Sequence, residues 1–145
     1  MRIAVLNGPN LNLLGTREPE VYGGATLSEV EQQVRSEAAS LGVELSWLQT
    51  NHEGAFVEAV QALRGQADGA LVNAAAFTHT SLAIRDAFLA VKVPFVEVHL
   101  TNVYAREPER RHSRLADLAV GVIAGFGAAG YGMGLRALVA KLRGS

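Results

Sequence analysis

Short apolar runs alternate with longer amphipathic segments along this chain. Runs of strand length occupy residues 3–6, 70–72, 95–98 and 118–123, and residues 43–47 alternate between apolar and polar positions. Buried strands have this length, and an alternating strand keeps one face in solvent, as near a sheet edge. The pattern therefore predicts five strands, the second of them close to an edge.

Amphipathic segments with helical spacing separate these strands. Thr26 and Glu29 have the spacing of a capping box at the start of the first long helix, and Gly42 suits the left-handed position that ends it. Further helices are predicted over about 55–65, 81–91 and 131–142. This alternation predicts an α/β fold, a three-layer sandwich with helices on both faces of a parallel sheet. Five strands in this rhythm favour the flavodoxin-like order 2-1-3-4-5.

Length and composition narrow the class of protein. No linker or internal repeat divides the 145 residues, so we expect a single domain over residues 1–145. The absence of cysteine excludes disulfides and thiolate metal sites and agrees with a cytoplasmic location. The net charge is −1 and no basic stripe is present, so nucleic acid is not an expected partner. Only four apolar residues precede Asn7, too few for a signal peptide.

A membrane helix is an alternative for residues 118–135, which carry no charged side chain. The segment contains six glycines, and each weakens a helix interior by about 1 kcal/mol. We therefore interpret it as a strand, a glycine-rich turn and the start of the last helix, and expect no membrane partner.

Polar side chains with useful chemistry follow three of the predicted strands. Asn7 and Asn10 follow the first strand, Asn73 and His79 the third, and His99 the fourth. Ligands of open α/β sheets bind beyond the carboxyl ends of the strands, so these residues are expected around one crevice. The first loop matches neither GxGxxG nor a P-loop, so the usual signals for dinucleotides and nucleoside triphosphates are missing.

Residues 16–24 form a polar segment with Pro19 and two glycines at its hinges, which is typical of a lid. It contains Arg17 and Tyr22. A guanidinium about 4 Å from a phenolate supplies about 4 kcal/mol at an effective dielectric near 20. Ionising a tyrosine at neutral pH costs about the same, so Arg17 is sufficient to make Tyr22 a base. The alternative is a surface tyrosine beside a solvated arginine.

Glu97 and His99 share one face of the fourth strand, where a carboxylate can orient or charge an imidazole. A metal site of His79, Glu97 and His99 is a less favoured alternative, because no further ligand occupies a matching position. The two lysines, Lys92 and Lys141, lie away from the carboxyl ends of the predicted strands, so a Schiff base is not expected.

Four arginines crowd residues 106–114, in the loop that follows His99. Such a run is either a solvated face or a clamp for an anion, since guanidinium groups bind carboxylates in a bidentate manner.

Taken together, these residues resemble the type II 3-dehydroquinate dehydratases, in register over essentially the whole chain. The motifs that carry the resemblance are Asn7-Gly8-Pro9-Asn10-Leu11, Arg17-Glu18-Pro19 through Tyr22-Gly23, Asn73 with Thr78-His79-Thr80-Ser81, Arg85-Asp86-Ala87, Glu97-Val98-His99, Asn102, Ala105-Arg106-Glu107, Arg110-Arg111-His112-Ser113 and Gly130-Tyr131.

The resemblance implies a flavodoxin-like fold and the reversible anti elimination of water from 3-dehydroquinate, which gives 3-dehydroshikimate in the shikimate pathway. It implies acid–base catalysis through an enolate, with no cofactor, no metal and no imine. It also implies a homo-oligomer in which trimers assemble into a dodecamer.

The resemblance also implies roles for individual residues. Tyr22 is expected to be the general base, Arg17 to favour its ionised form and Asn10 to hold the enolate. His99, oriented by Glu97, is expected to protonate the departing hydroxyl group. The residues expected to bind substrate are Asn73, His79 and Arg110 on the ring hydroxyls, the backbone amides of Leu100 and Thr101 on the carboxylate, Arg106 as a lid-closing arginine, and Asp86, which reaches a neighbouring subunit's site.

Two departures from the family pattern bear on affinity more than on reaction type. Ala74-Ala75-Ala76 stand where the family commonly has glycine, so the Ala75 methyl is expected to crowd the substrate or to force a different backbone angle. Glu109 replaces a usual phenylalanine and brings a carboxylate that would compete with the substrate's anion for Arg110.

Two other functions stay open from the residues. One is a binding module for a flavin or a phosphate ligand on the same fold. The other is an inactive paralogue that serves as an oligomeric scaffold, which the departures at Ala75 and Glu109 would favour.

Overall fold

Five parallel strands form one sheet in the computed structural model, which describes residues 1–16 and 18–144. The strands are β1 (Arg2–Asn7), β2 (Glu44–Gln49), β3 (Gly69–Asn73), β4 (Phe95–His99) and β5 (Gly121–Ala124). Their order across the sheet is β2-β1-β3-β4-β5, and each neighbouring pair is parallel. The predicted order and flavodoxin-like architecture are confirmed.

Helices connect the strands. They are α1 (Pro19–Tyr22), α2 (Leu27–Leu41), α3 (Glu53–Gln61), α4 (Phe77–Thr80), α5 (Leu82–Val91) and α6 (Ala129–Leu142). Single 3-10 turns cover Leu11–Leu13, Val103–Ala105 and Pro108–Arg110. The four longer helices lie where the sequence predicted them, whereas α1, α4 and the 3-10 turns were not predicted, because one turn of helix is too short to show a period.

The ends of α2 follow from local chemistry. The Thr26 hydroxyl oxygen accepts the Glu29 N–H at 3.2 Å, which satisfies one of the unpaired donors at the helix start. Gly42 ends the helix with φ of 70°, a left-handed angle that glycine adopts without strain. Both predicted end signals are confirmed.

The sheet separates two hydrophobic layers. On one face, α2 and α6 pack over β1, β3 and β4, with Val34, Leu135 and Leu138 at the centre. On the other face, α3 and α5 contribute Phe56, Val60, Ile84 and Phe88. Burying both faces leaves the carboxyl ends of the strands as one continuous edge on which loops can assemble a site.

The predicted fifth strand was placed three residues too early. Residues 118–120 form turns, and β5 begins at Gly121, which pairs with Val96. The first residues of the apolar run contribute to packing rather than to the strand, since Leu118 and Ala119 pack against the layer that contains α5 while Val120 is 40% exposed.

The glycines of this region also have a role that the sequence did not reveal. Gly132 and Gly134 lie inside α6, as the predicted helix over 131–142 implied, and Gly130 lies in it too rather than in the turn. A Cβ atom at Gly134 would meet the side chains of Leu71, Val96 and Val98 at 3.3–3.4 Å. Glycine therefore allows α6 to approach β3 and β4 closely. No helix among the described residues is long and apolar enough to cross a membrane.

Candidate active site

A small cavity of about 230 Å³ opens at the carboxyl ends of β1, β3 and β4. Its lining contains predicted site residues from the three connections that follow β1, β3 and β4. The lining residues are Pro9, Asn10, Tyr22, Ala75, Ala76, His79, His99, Leu100, Thr101, Val103, Arg106 and Arg110. Typical ligand pockets have about 300–1,000 Å³, so this cavity suits a small molecule.

Three of the predicted site residues that the structure describes are not part of this lining. Glu97 lies behind His99, and Asn73 is buried at 3% exposure beneath the cavity-lining Ala75. Asp86 is exposed on α5 and does not line the cavity of its own chain. Arg17 lies outside the described residues.

The imidazole of His99 is held by a buried carboxylate. His99 Nε2 lies 2.6 Å from Glu97 Oε2, and the two residues are only 5% and 2% exposed. Because a carboxylate accepts, Nε2 carries the proton of this bond, and Nδ1 is the other ring nitrogen. The geometry of a carboxylate-oriented imidazole, predicted from the shared strand face, is therefore present.

Ser113 completes this arrangement and had no predicted role. Its hydroxyl donates to Glu97 Oε1 at 2.8 Å and accepts the backbone N–H groups of Leu115 and Ala116 at 3.1 and 3.0 Å. Both oxygens of Glu97 are thus hydrogen-bonded, as a buried carboxylate requires. Sequence spacing gives no signal for the bond, because a loop of irregular structure separates Ser113 from β4.

His79 stacks beside His99, with ring centroids 6.2 Å apart and an angle of 18° between the rings. Its Nδ1 lies 2.8 Å from the carbonyl oxygen of His112, so Nδ1 is the donor. Burial lowers the pKa of His79, and the nearby charges of His99 and Arg110 act in the same direction. A neutral His79 therefore has an unprotonated Nε2, which can accept a hydrogen bond from a ligand hydroxyl.

Tyr22 ends the short helix α1 and borders two cavities. One is the small cavity described above, and the other, of about 340 Å³, lies between α1 and the loops after β4 and β5. The guanidinium carbon of Arg106 lies 5.2 Å from the centre of the Tyr22 ring. A cation at this distance from an aromatic ring is attracted to it, so the predicted lid segment and the arginine loop are in contact.

The arginine loop has its own internal carboxylate. Arg110 Nε lies 2.6 Å from Glu107 Oε1, and Arg106 Nε lies 3.7 Å from the same oxygen. A backbone hydrogen bond lowers the pKa of Glu107 from its usual value, and the charges of these two arginines act in the same direction. The carboxylate that pairs with Arg110 is thus Glu107, not Glu109 as the sequence suggested.

Asn10 is held from the end of β2, by residues that the sequence analysis missed. It has a left-handed backbone, with φ of 68°, and its N–H donates to Asn51 Oδ1 at 2.9 Å. Gln49 Nε2 donates to the same oxygen and to the carbonyl of Gly8, both at 3.1 Å. The only available sequence signal was the polar cluster Gln49-Thr50-Asn51-His52 after the second strand, to which no role was assigned.

Ala75 adopts φ of 51°, inside the left-handed region where an L-residue with a side chain is strained. Glycine adopts such an angle without strain, so the angle is not evidence that the methyl group forces the backbone into a different conformation, and that expectation stays a prediction. Whether its methyl group crowds a ligand stays a prediction.

The alternative of a metal site receives no support from the arrangement of side chains. Within residues 1–16 and 18–144, no three His, Asp or Glu side chains converge as metal ligands would. Lys92 follows α5 near the start of β4, and Lys141 lies in α6, so neither lines the cavity.

A crevice at the carboxyl edge of a flavodoxin-like sheet, with an oriented imidazole, a phenol and guanidinium groups, defines an α/β enzyme that acts on a small anionic molecule. Comparisons with known proteins narrow this class. The profile of the family "Dehydroquinase class II" matches residues 1–139.

Individual relatives agree over nearly the whole chain. The 3-dehydroquinate dehydratase of Gemmatimonas aurantiaca is 58% identical over 142 residues, covering 98% of this chain and 93% of that protein. The enzyme of the same name from a Synechococcus species is 56% identical over 144 residues, 99% of this chain and 98% of its own. The crystal structure of type II dehydroquinase from Butyrivibrio crossotus superposes with a TM-score of 0.93 at 38% identity, covering 95% of this chain and 97% of that one. The chain belongs to the class II dehydroquinase family, the type II 3-dehydroquinate dehydratases, which are hydro-lyases.

Proposed function

We propose that this protein dehydrates 3-dehydroquinate to 3-dehydroshikimate, reversibly and by anti elimination, in the shikimate pathway. The names of the relatives support the reaction, and their matches, at 56–58% identity overall, cover 98–99% of this chain. The observation that carries the mechanism is the pairing of a buried imidazole–carboxylate unit with a phenol across one small cavity.

The base is Tyr22. Its phenolate removes a proton from the carbon beside the ketone, and the electron pair of the broken C–H bond moves into an enolate. Arg106 places its guanidinium carbon 5.2 Å from the centre of the ring. The family resemblance implies that Arg17 favours the ionised form of Tyr22.

Asn10 stabilises the enolate. Its side chain reaches the cavity from a backbone that Asn51 and Gln49 fix before the reaction begins. A donor that is already in place stabilises developing negative charge without reorganisation at the moment of reaction.

The acid is His99. When the enolate collapses, a C=C bond forms, the C–O bond to the hydroxyl breaks, and an imidazolium proton joins the leaving oxygen to give water. Nδ1 delivers this proton, because Nε2 stays bonded to Glu97. The carboxylate stabilises the imidazolium and fixes its orientation.

The remaining residues bind the substrate. The unprotonated Nε2 of neutral His79 accepts a hydrogen bond from one hydroxyl group of the substrate ring. The guanidinium of Arg110 donates to the adjacent hydroxyl group. The backbone amides of Leu100 and Thr101 take the carboxylate. Asn73 supports this wall of the cavity from below, through its bond to the backbone N–H of Ala75.

The assembly proposed with this function is a cytoplasmic homo-oligomer of trimers that form a dodecamer. Asp86, exposed on α5, would complete the site of a neighbouring subunit.

The proposed reaction needs neither an imine nor a metal. An imine requires a lysine in the cavity, and the side chains that line it include none. Sodium borohydride added during turnover should therefore leave no mass increase on the protein. A trapped adduct on Lys92 or Lys141 would contradict this part of the mechanism.

An absorbance assay tests the function itself. The product contains a conjugated enone within its ring and absorbs in the ultraviolet, whereas 3-dehydroquinate has no such conjugation. We expect the purified protein to give steady absorbance growth that persists in the presence of a chelator. Absence of product would favour the inactive scaffold, and a yellow protein with a bound flavin would favour the binding module.

A further inference from the structure

A chain of buried hydrogen bonds runs beneath the cavity and centres on Tyr131 of α6. The Tyr131 hydroxyl donates to Asn7 Oδ1 at 2.6 Å and accepts from Asn73 Nδ2 at 3.0 Å. Asn7 Nδ2 donates to the carbonyl of Leu48 at 3.1 Å. The exposed fractions of Tyr131, Asn7 and Asn73 are 0%, 0% and 3%. These hydrogen bonds thus join α6 to the carboxyl ends of β1, β2 and β3.

The direction of these bonds is fixed. Burial raises the pKa of Tyr131, so its side chain stays a neutral hydroxyl with one proton to give. That proton goes to Asn7, and the hydroxyl oxygen therefore accepts from the amide nitrogen of Asn73. This in turn directs Asn73 Oδ1 toward the backbone N–H of Ala75, which donates to it at 3.2 Å. Tyr131 thereby sets which way the Asn73 amide faces.

The Asn73–Ala75 bond holds a strained turn. Ala75 has φ of 51°, a conformation that residues other than glycine adopt only when the surrounding structure imposes it. Ala75 and Ala76 both line the cavity, and their carbonyl oxygens accept the N–H groups of Thr78 and His79 in the next turn. The position of His79 therefore depends on this turn.

We propose that Tyr131 is a positioning residue for substrate binding: by orienting Asn73, it holds the Ala75 turn and with it His79 in the shape that receives the substrate. The inference rests on the proposed function, since it concerns binding of 3-dehydroquinate. Tyr131 touches neither the cavity nor the reacting groups. It also lies apart from the bonds that hold His99 and Asn10.

This separation predicts a specific kinetic signature. The turn contacts the ground state and the transition state alike, so its distortion weakens both equally, and KM rises while kcat is kept. For Tyr131→Phe we expect KM to rise about tenfold and kcat to stay within about twofold. The ring and its packing against Trp47, 5.7 Å away, are retained, so the fluorescence of the single tryptophan serves to check folding.

Two control variants separate positioning from general stability. Tyr104→Phe removes the same hydroxyl group from a ring that is 62% exposed, and should leave KM and thermal stability unchanged. Val139→Ala shortens a buried side chain of the same helix, away from the hydrogen-bond chain. It should lower the unfolding temperature as much as Tyr131→Phe, or more, without raising KM.

A double variant tests whether Tyr131 acts on substrate binding through Asn73. If Tyr131 acts through Asn73, then Tyr131→Phe added to Asn73→Ala raises KM no further than Asn73→Ala alone. Independent, multiplying effects on KM would overturn the proposal, as would a Tyr131→Phe enzyme with wild-type KM. A loss of kcat with unchanged KM would also overturn it. Should Tyr131→Phe fail to fold, Asn7→Ser takes its place, because it removes the amide oxygen that accepts from the same hydroxyl. We expect the same rise in KM with kcat retained, and the same contrary results would overturn the proposal.

A readout without substrate separates this proposal from the proposed function. Hydrogen–deuterium exchange followed by mass spectrometry on the segment 73–79 should be faster in Tyr131→Phe than in the wild type and in Val139→Ala. If Tyr131→Phe exchanges faster but the wild-type protein has no dehydratase activity, the positioning role stands and the proposed function is refuted. Unchanged exchange in an active enzyme would refute the positioning role alone.

Discussion

The two sides of the cavity differ in how firmly they are held. On the acid side, His99 and Glu97 lie at the end of a central strand, almost fully buried, and Ser113 saturates the second carboxylate oxygen. On the base side, Tyr22 ends a helix of four residues whose flanking positions, Glu18 and Gly23, have φ of 40° and 88°. Cavities of about 230 and 340 Å³ border Tyr22.

The difference indicates a division of labour. A buried, fully hydrogen-bonded acid is fixed before substrate arrives, whereas a base on a short exposed segment with space around it can move to admit substrate and close over it. Variants on the acid side should therefore change both rate and stability. Variants on the base side should change rate alone.

The largest effect is expected on the base side. Tyr22→Phe removes the proton acceptor and should lower kcat about 10³-fold, within the range for general bases, while KM stays similar. Because phenylalanine keeps the ring that packs against the layer of α2 and α6, and only the hydroxyl group is lost, the unfolding temperature should not change. The measurements are the absorbance assay and a thermal melt, with Tyr104→Phe as the matched control. Turnover within threefold of wild type would show that Tyr22 is not the base.

On the acid side, Glu97→Gln should lower kcat about 10²-fold, because a neutral amide no longer stabilises the imidazolium. It should also lower the unfolding temperature by about 3–8 °C, since an amide cannot serve as acceptor to both His99 and Ser113. Ser113→Ala should show the same two effects at smaller size. A large loss of rate at either position with an unchanged melting curve would contradict the view that the acid side is the more firmly held side of the cavity.

Arg106→Ala tests the contact between the lid segment and the arginine loop. Loss of the cation over the Tyr22 ring should raise KM about fivefold to tenfold and lower kcat less than Tyr22→Phe does. Stability should be retained, because Arg106 lies outside both hydrophobic layers. Arg35→Ala, at an exposed ion pair on α2, is the control. A drop in melting temperature in Arg106→Ala alone would place the base side among the rigid parts of the molecule.

The smallest expected effect is the pH dependence of stability due to His79. Its pKa in the folded protein is lowered from 6.5, mainly by burial. Below pH 6.5 the unfolded chain therefore binds more protons at His79 than the folded one, and stability falls as the pH drops from 6.5 toward the folded pKa. Chemical denaturation at pH 7.5 and 5.5 should show this loss in the wild type and a smaller one in His79→Gln. An equal loss in both proteins would contradict a lowered pKa.

Local signals explain what was predictable. The capping box at Thr26 and the stop at Gly42 involve neighbours in sequence, and so do the periodic apolar positions of α2 and α5. The pairing of His99 with Glu97 was predictable for the same reason, since alternate residues of a strand share a face. The parallel sheet then brings the strand ends together, and most predicted site residues with them.

The sequence by itself therefore determined the strand order and the main helices, because both depend on short-range period or on the topology of alternating elements, and its resemblance to a known family indicated the residues at the cavity. Only the tertiary structure decided that Tyr131 bonds Asn7 across 124 positions, that Ser113 saturates Glu97, and that Ala75 takes a left-handed angle. Such contacts depend on how closely α6 packs on the sheet and how the loops return. Hydrogen bonds between distant residues form only where the packing of the whole fold leaves a buried donor and acceptor with no other partner.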